Sequence, residues 1–449
     1  MDRTESLPQR TTGLLGSCEA CSRPLPLRLP EAGEPSLEWE CVGCGARYRG
    51  VLLDDWPSEF LENVRRAGSP PVEADPATEL DPSIGREAAL PGEWPGASAD
   101  VASKHPPIRC DLHTPLTRRL DAEIIRGVNL HVYPSRRPFA AVVATHGARL
   151  YDRAVLDRML RVIDQSSRHL QRIFASLHTG RIAEIELAEA ICRQSLTGLA
   201  EDRDLFVYLS ITPSAGEYPS RHGLHVAMLA TAMGVALGWD RSTLVDLGVG
   251  CLLHDVGMLF VDREVCQARR ILSAPDYAEI VKHPVLTMRA LERYAGEISA
   301  AAQFVAYQLH ERCNGRGYPR GYASDRIHDL AKVAAVADVY VALVTSGRNR
   351  PRMIPYRAIE KLLDDTRAGF FEPSVVRALL TTTSLFPVGS HVAMNDGRVG
   401  RVVRAAGDCY DRPIVEIWRA REPHAERCVV DLGREPGLRI AGTLPGPPS

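Results

Sequence analysis

The stretch GCLLHDVGMLF, residues 250–260, places a histidine and an aspartate, His254 and Asp255, side by side within an apolar run. The run extends in both directions as LVDLGVGCLLHDVGMLFV (244–261), apolar on nearly every helical face, the pattern of a helix buried among others. A carboxylate in such a setting is costly unless it is paired or binds a metal. A second one, Asp338, lies in LAKVAAVADVYVALV (330–344), which is equally apolar. Two buried carboxylates on separate helices call for a shared cation.

Histidines spread along the chain can complete such a site. His222 opens the apolar helix ending LHVAMLATAMGVAL (224–237), and His283 precedes Pro284 in KHPVLTMRAL, where proline suits a first helical turn. His310 closes AAQFVAYQLHE, just before the glycine-rich stretch that ends at Pro319. A lone histidine on an apolar helix is usually a hydrogen-bonded core residue. These four, in order and alongside two buried aspartates, read better as a metal site.

In this order, His222, His254-Asp255, His283, HERCNGRGYP (310–319) and Asp338 resemble the HD-GYP family, a branch of the HD superfamily of metal-dependent phosphohydrolases. The resemblance covers roughly 200–385. It implies an all-helical bundle with two or three metals, often iron or manganese, and hydrolysis of cyclic di-GMP, and one or two divalent ions are expected in this chain. By motif position, His222, His254, Asp255 and Asp338 hold the first metal, with His254 and Asp255 at the catalytic centre. Asp255 bridges to a second metal also held by His283 and His310. Asn314, Gly315, Arg316, Gly317, Tyr318 and Pro319 line the substrate. A metal pair can make hydroxide from water near neutral pH for in-line attack on phosphorus.

The chain departs from the family pattern at several positions. Leu309 stands where a second histidine is usual, removing one ligand of the second metal. Met258 replaces a lysine, Asn314 an aspartate and Val341 a second aspartate. Tyr218 falls four residues before His222, where some members carry a glutamate for a third metal. His225 and Cys313 are candidate substitute ligands, though a core histidine and a bystander thiol are the plainer readings. The expectation is a cyclic di-GMP phosphodiesterase with a weakened second metal site. The alternatives are a non-catalytic cyclic-dinucleotide receptor or signalling scaffold on the same fold, and a zinc-ribbon interaction protein. Arg320, Arg348 and Arg350 read as ordinary solvated arginines before phosphate ligands, and His146, His169 and His178 as structural or surface residues.

Outside this region, Cys18/Cys21 and Cys41/Cys44 form two Cys-x-x-Cys pairs with the spacing of tetrahedral structural zinc, and CVGCGARYRG looks like a zinc-ribbon knuckle. The expected organisation is a disordered leader (1–17), a zinc-ribbon-like module (18–50) and a linker poor in large apolar residues (66–108). A helical lead-in (120–200), the helical domain (201–384) and a small β-module (385–442) follow. The overall class is mainly α. In the lead-in, AAVVATHGARLY (140–151) reads as a short strand and turn, and AVLDRMLRVIDQSSRHLQRIFASL as a helix. In the β-module, residues alternate around an Asn395-Asp396-Gly397 turn. RPIVEIW, CVVDL and LRIAG are further strands.

The 54 basic and 56 acidic side chains leave no basic block for nucleic acid or an anionic membrane. The sequence offers neither a signal peptide nor an uninterrupted run of about 20 apolar residues, so the expected location is cytoplasmic, with cysteines reduced or metal-bound. It leaves open whether the ribbon takes a protein partner and whether two copies form a homodimer.

Overall fold

A computed structural model describes residues 108–127, 130–212, 218–267, 272–345, 352–419 and 427–444, together with five short strands before residue 67. The chain divides into two units. One spans Met1–Ala89 with Pro213–Ala215, and the other comprises the remainder.

In the first unit, β1 (Leu14–Ser17) pairs antiparallel with β2 (Pro24–Leu27). Strands β3 (Ser36–Glu40), β4 (Arg47–Val51) and β5 (Val64–Arg66) form a three-stranded antiparallel sheet. Leu14–Ser17, expected as part of a disordered leader, is a strand. Cys18, Cys21, Cys41 and Cys44 lie outside the described residues, as does the expected linker from 67 to 107.

The second unit is mainly helical. Helix α1 (Pro115–Arg126) starts a few residues earlier than expected because Thr114 caps it. The Thr114 hydroxyl accepts the Thr117 N–H, and the two threonines complete a capping box. Helix α2 (Arg153–His178) buries Leu156, Met159, Ile163, Leu170, Ile173 and Leu177, the stripe foreseen from helical spacing. Between them, 140–151 is not a strand. Phe139–Val142 is a 3-10 turn, and the backbone N–H groups of Phe139 and Ala144 bond to carbonyls of Trp239 and Ala200. Those partners are single carbonyls near other elements and do not form a strand edge, so no ladder can form.

Then follow α3 (Glu186–Glu201), α4 (Arg203–Ser210), α5 (Ser220–Ala236), α6 (Arg241–Leu253), α7 (Arg263–Gln267), α8 (Ala274–Ile280) and α9 (His283–Leu291). Helices α10 (Ala300–Gln308), α11 (Asp329–Val344), α12 (Pro355–Arg367) and α13 (Pro373–Thr383) complete the bundle. Helix α5 is its axis, packed against α4, α6, α11 and α13. Residues 223–235 of α5 are buried throughout, as a helix apolar all round requires. The stretch Arg241–Phe260 is long and apolar enough to cross a membrane, yet most of it is buried inside this bundle.

The β-module is a five-stranded antiparallel sheet in the order β10-β6-β7-β8-β9. Its strands are β6 (His391–Met394), β7 (Val399–Arg404), β8 (Ile414–Trp418), β9 (Cys428–Asp431) and β10 (Ile440–Leu444). Asn395-Asp396-Gly397 makes the β6–β7 turn, with Gly397 at φ 86°. Val392, Met394, Val402, Val415 and Ile417 build its core. Arg404 ties the sheet to the bundle. Its guanidinium forms a two-pronged bond to Asp202, at 2.9 and 3.0 Å, and reaches Asp204 at 3.4 Å. The described cysteines are free thiols.

Candidate metal centre

The apolar run 244–261 is not one helix. Helix α6 stops at Leu253, and Val256–Phe260 continues as a 3-10 turn. Thr287 of α9 accounts for the break. Its hydroxyl donates to the His254 carbonyl at 2.7 Å and accepts the Gly257 N–H at 2.8 Å. Gly257 makes the approach possible, since a Cβ there would lie 1.9 Å from the His283 carbonyl oxygen. Successive side chains of a continuous helix diverge by about 100°. The break lets both His254 and Asp255 turn toward one point.

Around that point the structure brings together all six residues that the sequence singled out. His222 on α5 lies with Nε2 2.7 Å from Asp338 Oδ1 on α11. His254 Nε2 is 3.4 Å from Asp255 Oδ1 and 4.0 Å from Asp338 Oδ1. His283 Nε2, at the first position of α9, is 3.2 Å from Asp255 Oδ1. His310 sits between the carboxylates, with Nε2 3.7 Å from Asp255 Oδ1 and Nδ1 3.8 Å from Asp338 Oδ2.

Hydrogen bonding aims these ligands. His254 Nδ1 lies 2.7 Å from the Cys251 carbonyl and His283 Nδ1 lies 2.8 Å from the Ile280 carbonyl. A carbonyl only accepts, so each Nδ1 carries the proton and each Nε2 offers its lone pair inward. His254 Nε2, Asp255 Oδ1, His283 Nε2, both ring nitrogens of His310 and Asp338 Oδ2 are buried without a hydrogen-bond partner. Buried polar groups are rarely left in that state. These five residues, each able to offer one ligand atom within a few ångströms of the others, fit a divalent cation, and imidazole with carboxylate is a donor set for first-row metals. Two triads have ligand atoms close enough to share an ion, His222/His254/Asp338 and His254/Asp255/His310.

Electrostatics agree. Burial alone would raise the Asp255 carboxyl, but the imidazoles of His254, His283 and His310 hold it well below the usual carboxylate range. Asp338 is also lowered against its burial, by His222, His310 and His254. Burial pulls His222 down, and the bond to Asp338 more than reverses it. Burial takes His310 down to about 4, which keeps its ring neutral and able to bind metal.

The loop after His310 splits between inside and outside. Gly317, Tyr318 and Pro319 are buried, whereas Asn314 and Arg316 are exposed. The Tyr318 ring stacks on His310 with centroids 4.9 Å apart and meets His283 edge-on at 5.8 Å. Gly317 is forced to be glycine, because a Cβ would lie 2.3 Å from the Arg312 nitrogen. Gly315 takes a left-handed φ of 73°. Asn314 points its amide to the Ala368 carbonyl at 3.3 Å, and Arg316 lies over the Phe370 ring.

Sequence reasoning passed over Glu311, which holds this loop. Its Oε1 accepts the N–H groups of Arg320 and Gly321, and its Oε2 accepts that of Tyr322. It also did not foresee that Arg320 braces the loop from behind, on Asp121 of α1 at 3.2 Å and on the Leu112 carbonyl at 2.8 Å. Tyr307 and Tyr322 donate to the same Asp121, each at 2.9 Å. The Tyr218 hydroxyl donates to Asp255 Oδ2 at 2.5 Å.

Among the substitutes considered, His225 faces α4, with Nδ1 2.6 Å from the Ser210 carbonyl. Cys313 donates its backbone N–H to the Phe370 carbonyl and is not in either triad. His146 bonds the Glu201 carbonyl at 2.7 Å, and His178 packs against Phe260. Leu309 is fully buried and Val341 nearly so. Met258 is buried in an apolar cluster with Val261 and Ile280. Arg348 and Arg350 lie outside the described residues.

The HD domain family matches residues 186–375. The cyclic di-GMP phosphodiesterase PA4108 of Pseudomonas aeruginosa is 30% identical over 224 residues, 49% of this chain and 53% of the relative. The cyclic di-GMP phosphodiesterase PdeB of Borreliella burgdorferi is 22% identical over 196 residues, 44% of this chain and 51% of the relative. The chain thus spans about half the length of these curated relatives. A solved HDG"Y"P protein of Bdellovibrio bacteriovorus, Bd1817, overlays 54% of this chain and 76% of its own at 19% identity, with a TM-score of 0.44. The family match encloses all six clustered residues. Residues 186–375 are an HD domain, and over about half its length the chain is similar to curated cyclic di-GMP phosphodiesterases.

Proposed function

We propose that this chain is a metal-dependent phosphodiesterase acting on a cyclic dinucleotide, with cyclic di-GMP the first substrate to test. The observation that carries the proposal is the cluster of buried, unpartnered nitrogen and oxygen atoms that His254, Asp255, His283, His310 and Asp338 bring together. The names of the P. aeruginosa and B. burgdorferi relatives supply the substrate class. In this reading His222, His254, Asp255 and Asp338 hold one ion, and Asp255, His283 and His310 hold a second more weakly. Iron or manganese is the expected metal. Bound divalent ions supply Lewis acidity and lower the pKa of water at the site.

The chain's own residues do the rest. The protonated Nδ1 atoms of His254 and His283 fix their rings on backbone carbonyls, so the ligand atoms need no reorganisation. Tyr318 shields one side of His310 and excludes water there. Exposed Arg316 is placed to meet a phosphate at the loop surface. Glu311 and Arg320 hold the loop that carries both.

A second reading, a non-catalytic receptor or scaffold, is favoured by two side chains. Leu309 is buried and offers no donor, and Met258 puts a thioether in an apolar cluster where the family pattern has a lysine. The N-terminal Cys18, Cys21, Cys41 and Cys44 are proposed, from spacing alone, to hold structural zinc. A cytoplasmic location is part of the same proposal, as is a protein partner at the zinc module.

The test is incubation of the full chain, loaded with manganese, with cyclic di-GMP, followed by chromatography for linear dinucleotide or GMP. Product that disappears in Asp255→Ala supports the enzyme. Metal and bound nucleotide without product would establish the receptor reading instead.

A further inference from the structure

Asp255 uses its two oxygens differently. Oδ1 faces the imidazoles, 3.2 Å from His283 Nε2, 3.4 Å from His254 Nε2 and 3.7 Å from His310 Nε2. Oδ2 receives the Tyr218 hydroxyl at 2.5 Å. The phenol lies two residues before α5, and its ring leans on His222, with centroids 6.0 Å apart, and on the apolar cluster of Met258, Val261 and Ile280. It is thus held by packing on one side and by a short bond to an ionised carboxylate on the other, a charge-assisted contact of the stronger kind. A carboxylate that bridges two ions through both oxygens must keep an open lone pair on each, and a strong donor takes one of the two lone pairs on its oxygen and lowers that oxygen's basicity. Here one is committed to Tyr218.

We propose that Tyr218 is a positioning residue that withholds Asp255 Oδ2 from the metal cluster, so that the chain holds one divalent ion tightly and takes a second only at much higher concentration. The proposal rests on reading the His/Asp cluster as a metal centre. Tyr218 fixes the carboxylate with Oδ1 toward His283 and His310, and an ion at Oδ2 must share that oxygen with a buried phenol or displace it. The preference for a single ion follows from this hydrogen bond as well as from the missing donor at Leu309.

The experiment titrates Mn2+ into metal-depleted full-length protein, wild type and Tyr218→Phe, with low-temperature electron paramagnetic resonance and elemental analysis as readouts. Phenylalanine keeps the ring packing and removes only the donor. Wild type should show an isolated-ion spectrum through the first equivalent, with the exchange-coupled pair appearing only at large excess. Tyr218→Phe should form the coupled pair at about tenfold lower Mn2+, the effect of losing one charge-assisted hydrogen bond. Met258→Leu, which alters the packing beneath the same ring without touching the hydroxyl, should leave the second affinity unchanged. Wild type forming the coupled pair at its first equivalent overturns the proposal without any variant. So does a Tyr218→Phe protein whose second affinity is unchanged or weaker. If wild type takes up no Mn2+ and Asp255→Ala behaves identically, the metal-centre reading itself falls and this inference falls with it.

Discussion

Replacing Glu311 separates a structural role from a chemical one. Its carboxyl group is buried and takes three backbone N–H groups, from Arg320 at 2.8 Å, Gly321 at 3.1 Å and Tyr322 at 3.0 Å. Burial pushes the carboxyl up to about 7, even though those three bonds pull it down. Glu311→Ala strands three half-buried donors, each costing up to about 1–3 kcal/mol when unsatisfied. Water entering the vacated space recovers part of that, which leaves a net loss of about 3 kcal/mol. Glu311→Gln keeps the shape, and its amide oxygen can still accept from Arg320 and Gly321. Its NH2 then faces the Tyr322 N–H, while the cost of burying a charge disappears, so the expected loss is about 1 kcal/mol. Urea unfolding of the full chain, followed by far-ultraviolet circular dichroism, measures the order wild type, Gln, Ala. Glu311 points at the loop backbone and not at the His/Asp cluster, so metal content should hold in both variants. Limited proteolysis should cut within 312–322 faster in Glu311→Ala. An alanine variant as stable as wild type, or one that loses metal at unchanged stability, would refute the clamp and make Glu311 part of the metal site.

Three further outcomes follow from the same geometry. Gly257→Ala drives a methyl to 1.9 Å from the His283 carbonyl oxygen and should cost about 3 kcal/mol or more by forcing α9 from the turn that carries Asp255, read as a lowered unfolding midpoint with reduced metal affinity. Arg404→Met leaves the buried Asp202 without its two-pronged partner and should destabilise the chain by about 3–5 kcal/mol by calorimetry, whereas a drop below about 1 kcal/mol would show that the sheet is not anchored there. Asp329 is held below its usual value of 3.8, against its burial, by the Val132 N–H and by Lys332 and His131. Its folded pKa is depressed, so its stabilisation is complete above about pH 4 and is lost as pH falls through the folded value. Asp329→Asn should therefore lower stability at pH 7 while flattening the acid limb of the profile, and parallel acid limbs would contradict this.

The parts of this molecule most legible in the sequence were those where burial and charge conflict. His254-Asp255 and Asp338 stood out because apolar runs do not carry carboxylates without cause, and the structure sets them within one cluster with His222, His283 and His310. The β-module was readable from alternation about Asn395-Asp396-Gly397, since a tight turn and a period of two are local properties. What stayed hidden depends on contacts distant in sequence. The end of α6 at Leu253 is set by Thr287, more than thirty residues on, so the apolar run alone suggests one long helix. Residues 140–151 have strand-like composition, yet their N–H groups meet local turn carbonyls and, at Ala144, the single carbonyl of Ala200. Arg320 looked like a surface arginine because its partner Asp121 lies far back in α1. The bond from Tyr218 to Asp255 joins residues whose spacing carries no pattern.

The most direct test of the central claim is the metal content of full-length protein purified without added metal, measured by elemental analysis beside Asp255→Ala and Asp338→Ala. The account predicts at least one equivalent of iron or manganese in wild type, lost in both variants. Wild type carrying neither ion, or variants that keep the wild-type content, would mean that the clustered His and Asp side chains do not form a metal site.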